Sequence, residues 1–208
     1  MRARSATHAG GPSEVRLADG SLLTIRRVEP GDKRLIADAF AELSDESRYR
    51  RFFTPLRELS AEQLAYLTEL DHHDHEALLA IDAGGWCAGV ARFARVATDV
   101  AEPAVAVLDR WQRRGLGTAL LEILAARARE EGITRFSAVV LADNRDAIRL
   151  LERLGEATLE ESGRELRFDV ALPARGAGLT LRELLRAAAV GVLAPARAFI
   201  DREAPRDG

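Results

Sequence analysis

Residues 105–121 read VAVLDRWQRRGLGTALL, and this stretch decides the fold of the chain. An apolar run typical of a strand leads into the loop Gln112–Gly117, and the leucines that follow recur at helical spacing. Glycines at 115 and 117 let the backbone approach a ligand closely, because glycine has no Cβ. The free N–H groups and positive dipole end of the following helix, together with Arg113 and Arg114, predict a pyrophosphate site.

Two other phosphate-binding loops do not fit this stretch. A dinucleotide fingerprint needs a third glycine, and position 120 is Leu. A Walker loop needs Gly-Lys-Ser/Thr, which the stretch does not contain. Because Gly-x-Gly alone is weak evidence, the strand before it and the helix after it carry the interpretation.

The surrounding sequence predicts a mixed α/β (α+β) sheet with crossover helices, in the order hairpin, helices, then β-β-β-α-β-α-β. Predicted strands are Glu14–Leu17, Leu22–Arg27, Ala77–Ile81, Trp86–Val96, Ala104–Leu108, Phe136–Leu141 and Glu165–Val170. Predicted helices begin at Pro30, Ser44 and Ser60 and span Gly115–Glu131 and Asn144–Leu154. The segment Phe136–Leu141 has almost no polar interruption, which favours a strand buried on both faces.

Composition shifts divide the chain into three parts. Residues 1–12 are small and polar and are predicted to be a disordered arm, whereas 13–173 form the domain. Residues 174–208 are predicted to be a linker and a C-terminal helical tail, with a helix at Leu179–Ile200 broken near Pro195. That helix is expected to pack on its own domain or on a sister subunit, so a homodimer is one expected assembly.

Charge and composition exclude several classes of protein. A formal net charge of −3 argues against nucleic-acid binding, which normally needs a basic surplus. The single Cys87 excludes an internal disulfide and fits a reducing compartment. No stretch has the apolar length of a membrane span, and the N-terminus has no secretory h-region. We therefore expect a cytoplasmic protein.

The segment QRRGLG at 112–117, between a strand and a helix, resembles the acetyl-CoA motif Q/R-x-x-G-x-G/A of the GNAT N-acetyltransferase superfamily. The helix NRDAIRLLERLG at 144–155 is similar to the next motif of that superfamily. The segments LSDESRYRRF at 43–52, Leu59-Ser60, DHHDH at 71–75 and DRWQRRG at 109–115 resemble bacterial protein lysine acetyltransferases of the Pat type. The resemblance covers roughly residues 22–170.

The resemblance implies a GNAT fold, a twisted sheet splayed between its fourth and fifth core strands, with acetyl-CoA as co-substrate in the gap. It implies that the backbone of Val107 and Leu108 pairs with pantetheine and that Asn144 touches the pantetheine arm. The pyrophosphate would be held by a run of seven residues: Gln112, Arg113, Arg114, Gly115, Leu116, Gly117 and Thr118.

The resemblance also places the general base at Glu102. A lysine ammonium, with a pKa of about 10.4, becomes a nucleophile only after it loses a proton, and a carboxylate can take that proton. Two departures from the family pattern stand out. Pro103 follows Glu102 and favours a bulge in this strand, and Leu151 stands where many members have a tyrosine that protonates the departing thiolate.

Three functions remain open from the sequence. The first choice is acetyl transfer to a protein lysine, and the main alternative is a small amine of the polyamine or aminoglycoside type. A non-catalytic acyl-CoA-binding sensor is the third. No metal site is expected at Asp71–His75, because consecutive residues in a short turn rarely converge on one ion. We interpret them as a polar loop that lines the acceptor site.

Overall fold

The computed structural model describes residues 11–53 and 56–172. Apart from Gly11 and Pro12, the predicted arm lies outside these residues, as does the whole predicted tail at 174–208. The strands are β1 Ser13–Arg16, β2 Leu22–Arg27, β3 His75–Asp82, β4 Cys87–Ala97, β5 Val100–Val107, β6 Arg135–Leu141, β7 Ala157–Ser162 and β8 Glu165–Ala171. The α-helices are α1 Lys33–Glu42, α2 Asp45–Phe52, α3 Ala61–Thr68, α4 Leu116–Glu130 and α5 Arg145–Leu154.

The eight strands form one mixed sheet in the order β1-β2-β3-β4-β5-β6-β8-β7. All neighbours are antiparallel except β5 and β6, which run parallel. The β5–β6 ladder joins only Val100 with Arg135 and Ala101 with Phe136 among the described residues. Beyond these two pairs β5 and β6 diverge, so the predicted fold class and the predicted splay between the fourth and fifth core strands are confirmed.

Helices cover both faces of the sheet. The larger core lies under α4 and α5, whose buried residues include Leu120, Leu124 and Leu151. The other face packs against α1, α2 and α3 through two smaller clusters, which contain Ile36 and Phe40. The opening residues of two helices are as predicted: the Ser44 hydroxyl accepts from the Ser47 N–H, and Ser60 forms a capping box with Gln63.

One prediction for the sheet was wrong. Strand β6 is not buried on both faces, since Phe136, Ala138 and Val140 are buried whereas Ser137, Val139 and Leu141 are partly exposed. The reason is the placement of the helices. The buried residues pack into the core under α4 and α5, while the clusters on the opposite face draw their strand residues from β3 and β4.

The predicted bulge at Pro103 is also absent, because Pro103 pairs in regular register with Phe93. The irregularity of this ladder falls between Arg95 and Ala97 instead. The Leu108 N–H donates to the Ala88 carbonyl, so alternation along β5 turns the nitrogen of Pro103 away from β4 and toward β6. The β5–β6 ladder has already ended at Ala101, and proline therefore removes no ladder hydrogen bond.

Candidate functional site

The loop between β5 and α4 has the backbone shape of an anion site. Arg113 and Gly115 both have positive φ angles, 58° and 91°, while the intervening Arg114 does not. Alternation of left- and right-handed residues turns successive N–H groups toward one concave surface. Helix α4 begins at the next residue, Leu116, and adds its own N-terminal N–H groups and dipole. The arrangement suits a phosphate group.

The side chain of Gln112 holds this loop and points into the protein. Its Nε2 donates to the Val107 carbonyl at 3.0 Å and to the Ser47 hydroxyl at 3.2 Å. Neighbouring Asp109 accepts from the Ser47 hydroxyl at 2.8 Å and from the N–H of Ser44 at 2.9 Å. Partial burial opposes ionisation of Asp109, but these hydrogen bonds outweigh it and lower its pKa. The loop is thus fixed to the start of α2.

The two arginines of the loop differ in their surroundings. The Arg114 guanidinium makes a 2.9 Å ion pair with Asp19, in the β1–β2 turn, and stacks over the Trp111 ring at 5.1 Å. Arg113 is exposed at the left-handed position. Arg113 is therefore the loop cation open to solvent, whereas Arg114 also ties the loop to the first hairpin.

The edge of β5 presents backbone groups to the gap beside β6. The Leu108 N–H donates to the Ala88 carbonyl at 3.0 Å, and the Leu108 carbonyl accepts from the Trp111 N–H at 2.7 Å. Val107 occupies the alternate position, opposite Gly89, so its N–H points away from β4 and into the gap. The Leu108 N–H and carbonyl are thus both bonded within the protein, whereas the Val107 N–H faces the gap, and the pairing of these two residues with pantetheine stays a prediction.

Two further predicted cofactor residues are buried at helix N-termini. Asn144 caps α5 by accepting from the Ala147 N–H at 3.2 Å and is 1% exposed. Thr118 is buried in the first turn of α4. Asn144 therefore has a structural role as a cap, and its contact with pantetheine stays a prediction.

Glu102 is the third residue of β5, half-buried and directly opposite Ala94. Its side chain shares a sheet face with those of Ala104 and Ala106, because side chains alternate along a strand. Val105 and Val107 pack in the core on the other face, under α4. The predicted base and the predicted cofactor edge thus belong to the same strand.

A model of the acetyltransferase (GNAT) family matches residues 37–155, which is more than half of the chain. The chain belongs to the GNAT family. The described part of this GNAT chain has no helix that is both long and apolar enough to cross a membrane.

Two relatives resemble the chain in sequence and structure. It is 33% identical to Acetyltransferase Pat of Mycolicibacterium smegmatis over 165 residues, 78% of this chain and 49% of that protein. The chain thus spans about half the length of that relative. The crystal structure of the GNAT domain of S. lividans PAT matches 77% of this chain and 97% of its own, with 34% identity and a TM-score of 0.73.

A third match is a cAMP-binding acyltransferase from Mycobacterium smegmatis. It is 30% identical with a TM-score of 0.59, over 85% of this chain and 55% of that one. Cyclic AMP binding is stated of that protein.

A pocket that was not predicted from the sequence of this GNAT chain lies on the Glu102 face of the sheet. The pocket is open, with about 590 Å³ of empty space including its mouth, and it reaches Ala106 on β5 and Leu108 just after that strand. Its walls are apolar except for Arg51 and Arg92, which are 5% and 3% exposed. The available signal was Arg92 itself, a charged residue in the middle of an apolar strand.

The Asp71–His75 loop does not gather ligands. The Asp71 carboxylate accepts from the N–H groups of His73, Asp74 and His75, while His72 contacts Glu76 and His73 contacts Glu131. Within residues 11–53 and 56–172 no group of three or more histidine, cysteine or acidic side chains could hold a metal ion. His75 contacts the Tyr66 ring at 5.2 Å and lies in one row with Ala94 and Glu102.

Proposed function

We propose that the chain transfers an acetyl group from acetyl-CoA to an amine, with a protein lysine side chain as the first-choice acceptor and Glu102 as general base. The observation that carries the proposal is the geometry of β5. Its gap-facing edge presents the N–H of Val107 to a cofactor, and its neighbouring face presents Glu102 to an acceptor. The cytoplasm is the proposed compartment, consistent with the free, buried Cys87.

The described residues fit acetyl-CoA. The positive-φ loop at Arg113 and Gly115, followed by the N-terminus of α4, suits a pyrophosphate, and the gap between β5 and β6 gives an extended arm a strand edge to pair with. Acetyl-CoA supplies an activated thioester. The chain contributes the position of that group and the donors around it.

Glu102 takes the proton from the attacking amine. An ammonium group cannot attack, so removal of one proton by the carboxylate, directly or through a water molecule, frees the nitrogen lone pair. The Val107 N–H, directed into the gap, is placed to donate to the oxygen of the reacting carbonyl as negative charge develops there.

The departing thiolate receives its proton from solvent. Leu151, at the position where relatives often have tyrosine, is fully buried in the core under α4 and α5 and has no proton to give. A thiol has a pKa near 8.5, so the thiolate leaves readily without an acid. This departure from the family pattern is compatible with catalysis.

Thiol release from acetyl-CoA tests the reaction, with a lysine-rich protein extract and a polyamine panel compared side by side. Extract-dependent release with acetyl-lysine on defined proteins supports the lysine acceptor. Release with small amines alone moves the function to a small-molecule N-acetyltransferase. Acetyl-CoA binding without release from any acceptor shows a sensor and contradicts the proposal.

The variant Glu102→Gln tests the base. We expect kcat to fall by about a hundredfold while the affinity for acetyl-CoA stays within twofold of wild type. The matched control is Glu160→Gln, a change at an exposed site on the edge strand β7. Wild-type turnover in Glu102→Gln would remove Glu102 from the mechanism.

A further inference from the structure

Arg51, on α2, and Arg92, on β4, bring two guanidinium groups into an apolar pocket. Both are almost wholly buried, and both line the cavity together with residues of α1, α3 and β5. Arg92 lies opposite Ala104 in the β4–β5 ladder, next to the Ala94–Glu102 pair. The pocket is therefore adjacent to the proposed general base, on the same face of the sheet.

Aromatic rings surround the two charges, and neither has an anionic partner among the described residues. Arg51 lies over the Phe52 ring at 4.7 Å, and Arg92 lies over the Tyr66 ring at 4.8 Å. Arg92 also donates to the Tyr66 carbonyl at 3.4 Å. The Tyr66 phenol acts on the charge of both guanidinium groups, and the charge of Arg92 also acts on Arg51.

A buried, unpaired pair of cations is costly. Burial, and next the charge of Arg92, lower the pKa of Arg51 to about 9, and burial lowers the pKa of Arg92. Arg51 still carries its charge at pH 7. Buried charges are ordinarily paired, and a guanidinium presents planar donors that match a carboxylate. An anion in the pocket would supply the missing partner.

The position of the pocket assigns that anion to the acceptor. The proposed cofactor edge of β5 faces the gap beside β6, whereas the pocket lies over β4 and β5 beneath α1, α2 and α3. The acceptor amine has to reach Glu102, whose side chain shares the face of the pocket. A group attached to the acceptor can extend from Glu102 over Ala104 and Ala106 to the arginines.

We propose that Arg51 and Arg92 bind a carboxylate that the acceptor carries beside its reacting amine. This inference rests on the proposed function and specifies the substrate class. The carboxylate belongs either to an acidic side chain next to the target lysine in a protein or to a free amino acid. Both sources present the same group to the same two guanidinium groups.

Conjugates that need no turnover test the proposal by calorimetry on the full chain. One pair joins CoA, through an acetyl bridge, to the lysine amine of blocked Glu-Lys or of blocked Gln-Lys. A second pair joins CoA, through the same acetyl bridge, to the amine of glycine or of glycinamide. We expect the acid form of one pair to bind at least about tenfold more tightly than its amide, as for a hydrogen bond to a charged group. The pair that discriminates identifies the source.

The variants Arg92→Met and Arg51→Met should reduce this acid-to-amide ratio to below about twofold. Their affinity for CoA alone should not change, which also shows that they fold. The control is Arg34→Met, since the Arg34 side chain on α1 is almost fully exposed and should keep the wild-type ratio. The comparison of acid and amide conjugates on the wild-type chain tests the proposal even if a variant fails to fold.

Two results would overturn the inference. The first is equal affinity for the acid and amide forms in both pairs while CoA alone binds. The second is a tenfold preference for succinyl-CoA over butyryl-CoA that Arg92→Met removes, because the carboxylate would then belong to the donor. Absence of CoA binding would instead contradict the proposed function, so the two failures are distinguishable.

Discussion

The side-chain amide of Gln112 donates a 3.0 Å hydrogen bond to the carbonyl oxygen of Val107. The same nitrogen donates to the Ser47 hydroxyl, so one side chain joins the anion loop, the exposed edge of β5 and the start of α2. The glutamine of the loop motif thus fixes the distance between the proposed pyrophosphate site and the proposed pantetheine edge. Because the Gln112 side chain is bonded within the protein, its backbone is the part that remains to contact the cofactor.

Replacement of Gln112 by alanine should loosen this junction. We expect CoA to bind about fivefold more weakly, the effect of one neutral hydrogen bond. Calorimetry with CoA measures it, and Gln63→Ala is the control because Gln63 caps α3, away from the loop. Equal CoA affinity in Gln112→Ala and wild type would show that the loop keeps its shape without the tether.

Gly115→Ala should weaken both the fold and the cofactor site. The position has open space around it but a φ of 91°, which costs a residue with a Cβ about 1 kcal/mol. If the loop relaxes, CoA should bind about tenfold more weakly. Gly132→Ala is the control, with a φ of 79° and open space just after α4, at the far end of that helix from the loop. It should show a similar loss of stability and unchanged CoA affinity.

Glu76 organises a buried cluster of charges at the start of β3. Its carboxylate is fully buried, 2.7 Å from His72 Nδ1, 3.1 Å from Arg27 and 3.3 Å from Arg127. Glu76→Gln would leave Arg27 without its carboxylate partner, while Arg127 keeps Glu130 and Glu131, and the free energy of unfolding should fall by about 3 kcal/mol.

Urea unfolding measures that loss of stability. The matched change Glu69→Gln breaks the exposed ion pair with Lys33 and should lower the free energy of unfolding by only about 0.5 kcal/mol. Similar losses in the two variants would show that burial adds nothing to the Glu76 cluster.

Glu122, half-buried on α4, should make stability depend on pH. Burial raises its pKa from 4.5 to about 7, so the folded chain holds a proton that the unfolded chain releases. The resulting loss of stability grows as pH rises from 4.5 to 7 and is complete above 7. Solvent screening of the exposed part limits it to about 1 kcal/mol.

The variant Glu122→Gln removes this penalty. Its melting temperature should exceed that of wild type by more at pH 8 than at pH 5. If the melting temperatures of the variant and wild type differ by the same amount at pH 5 and pH 8, the pKa of Glu122 is not raised in the folded chain. That result would contradict the prediction.

The predictions that succeeded rested on local chemistry. Ser44 and Ser60 cap the helices expected of them, since a hydroxyl beside free N–H groups needs no distant partner. Strand β6 and Pro103 were predicted wrongly, because the answer depended on which faces the helices cover and on which side of β5 the proline nitrogen lies. Both depend on neighbours that are distant in the chain.

The sequence by itself determined the family, the glycine loop and the order of the elements as far as α5, because a positive φ, a cap and a periodic apolar face are properties of short segments. It missed strand β7, which follows α5. Only the tertiary structure decided that Arg51 and Arg92 share a pocket and that Glu102 lies on the same face of the sheet. Those residues come from α2, β4 and β5, and only strand register and helix packing bring such separate segments together. The proposed substrate class therefore follows from the fold, and the proposed cofactor from the sequence.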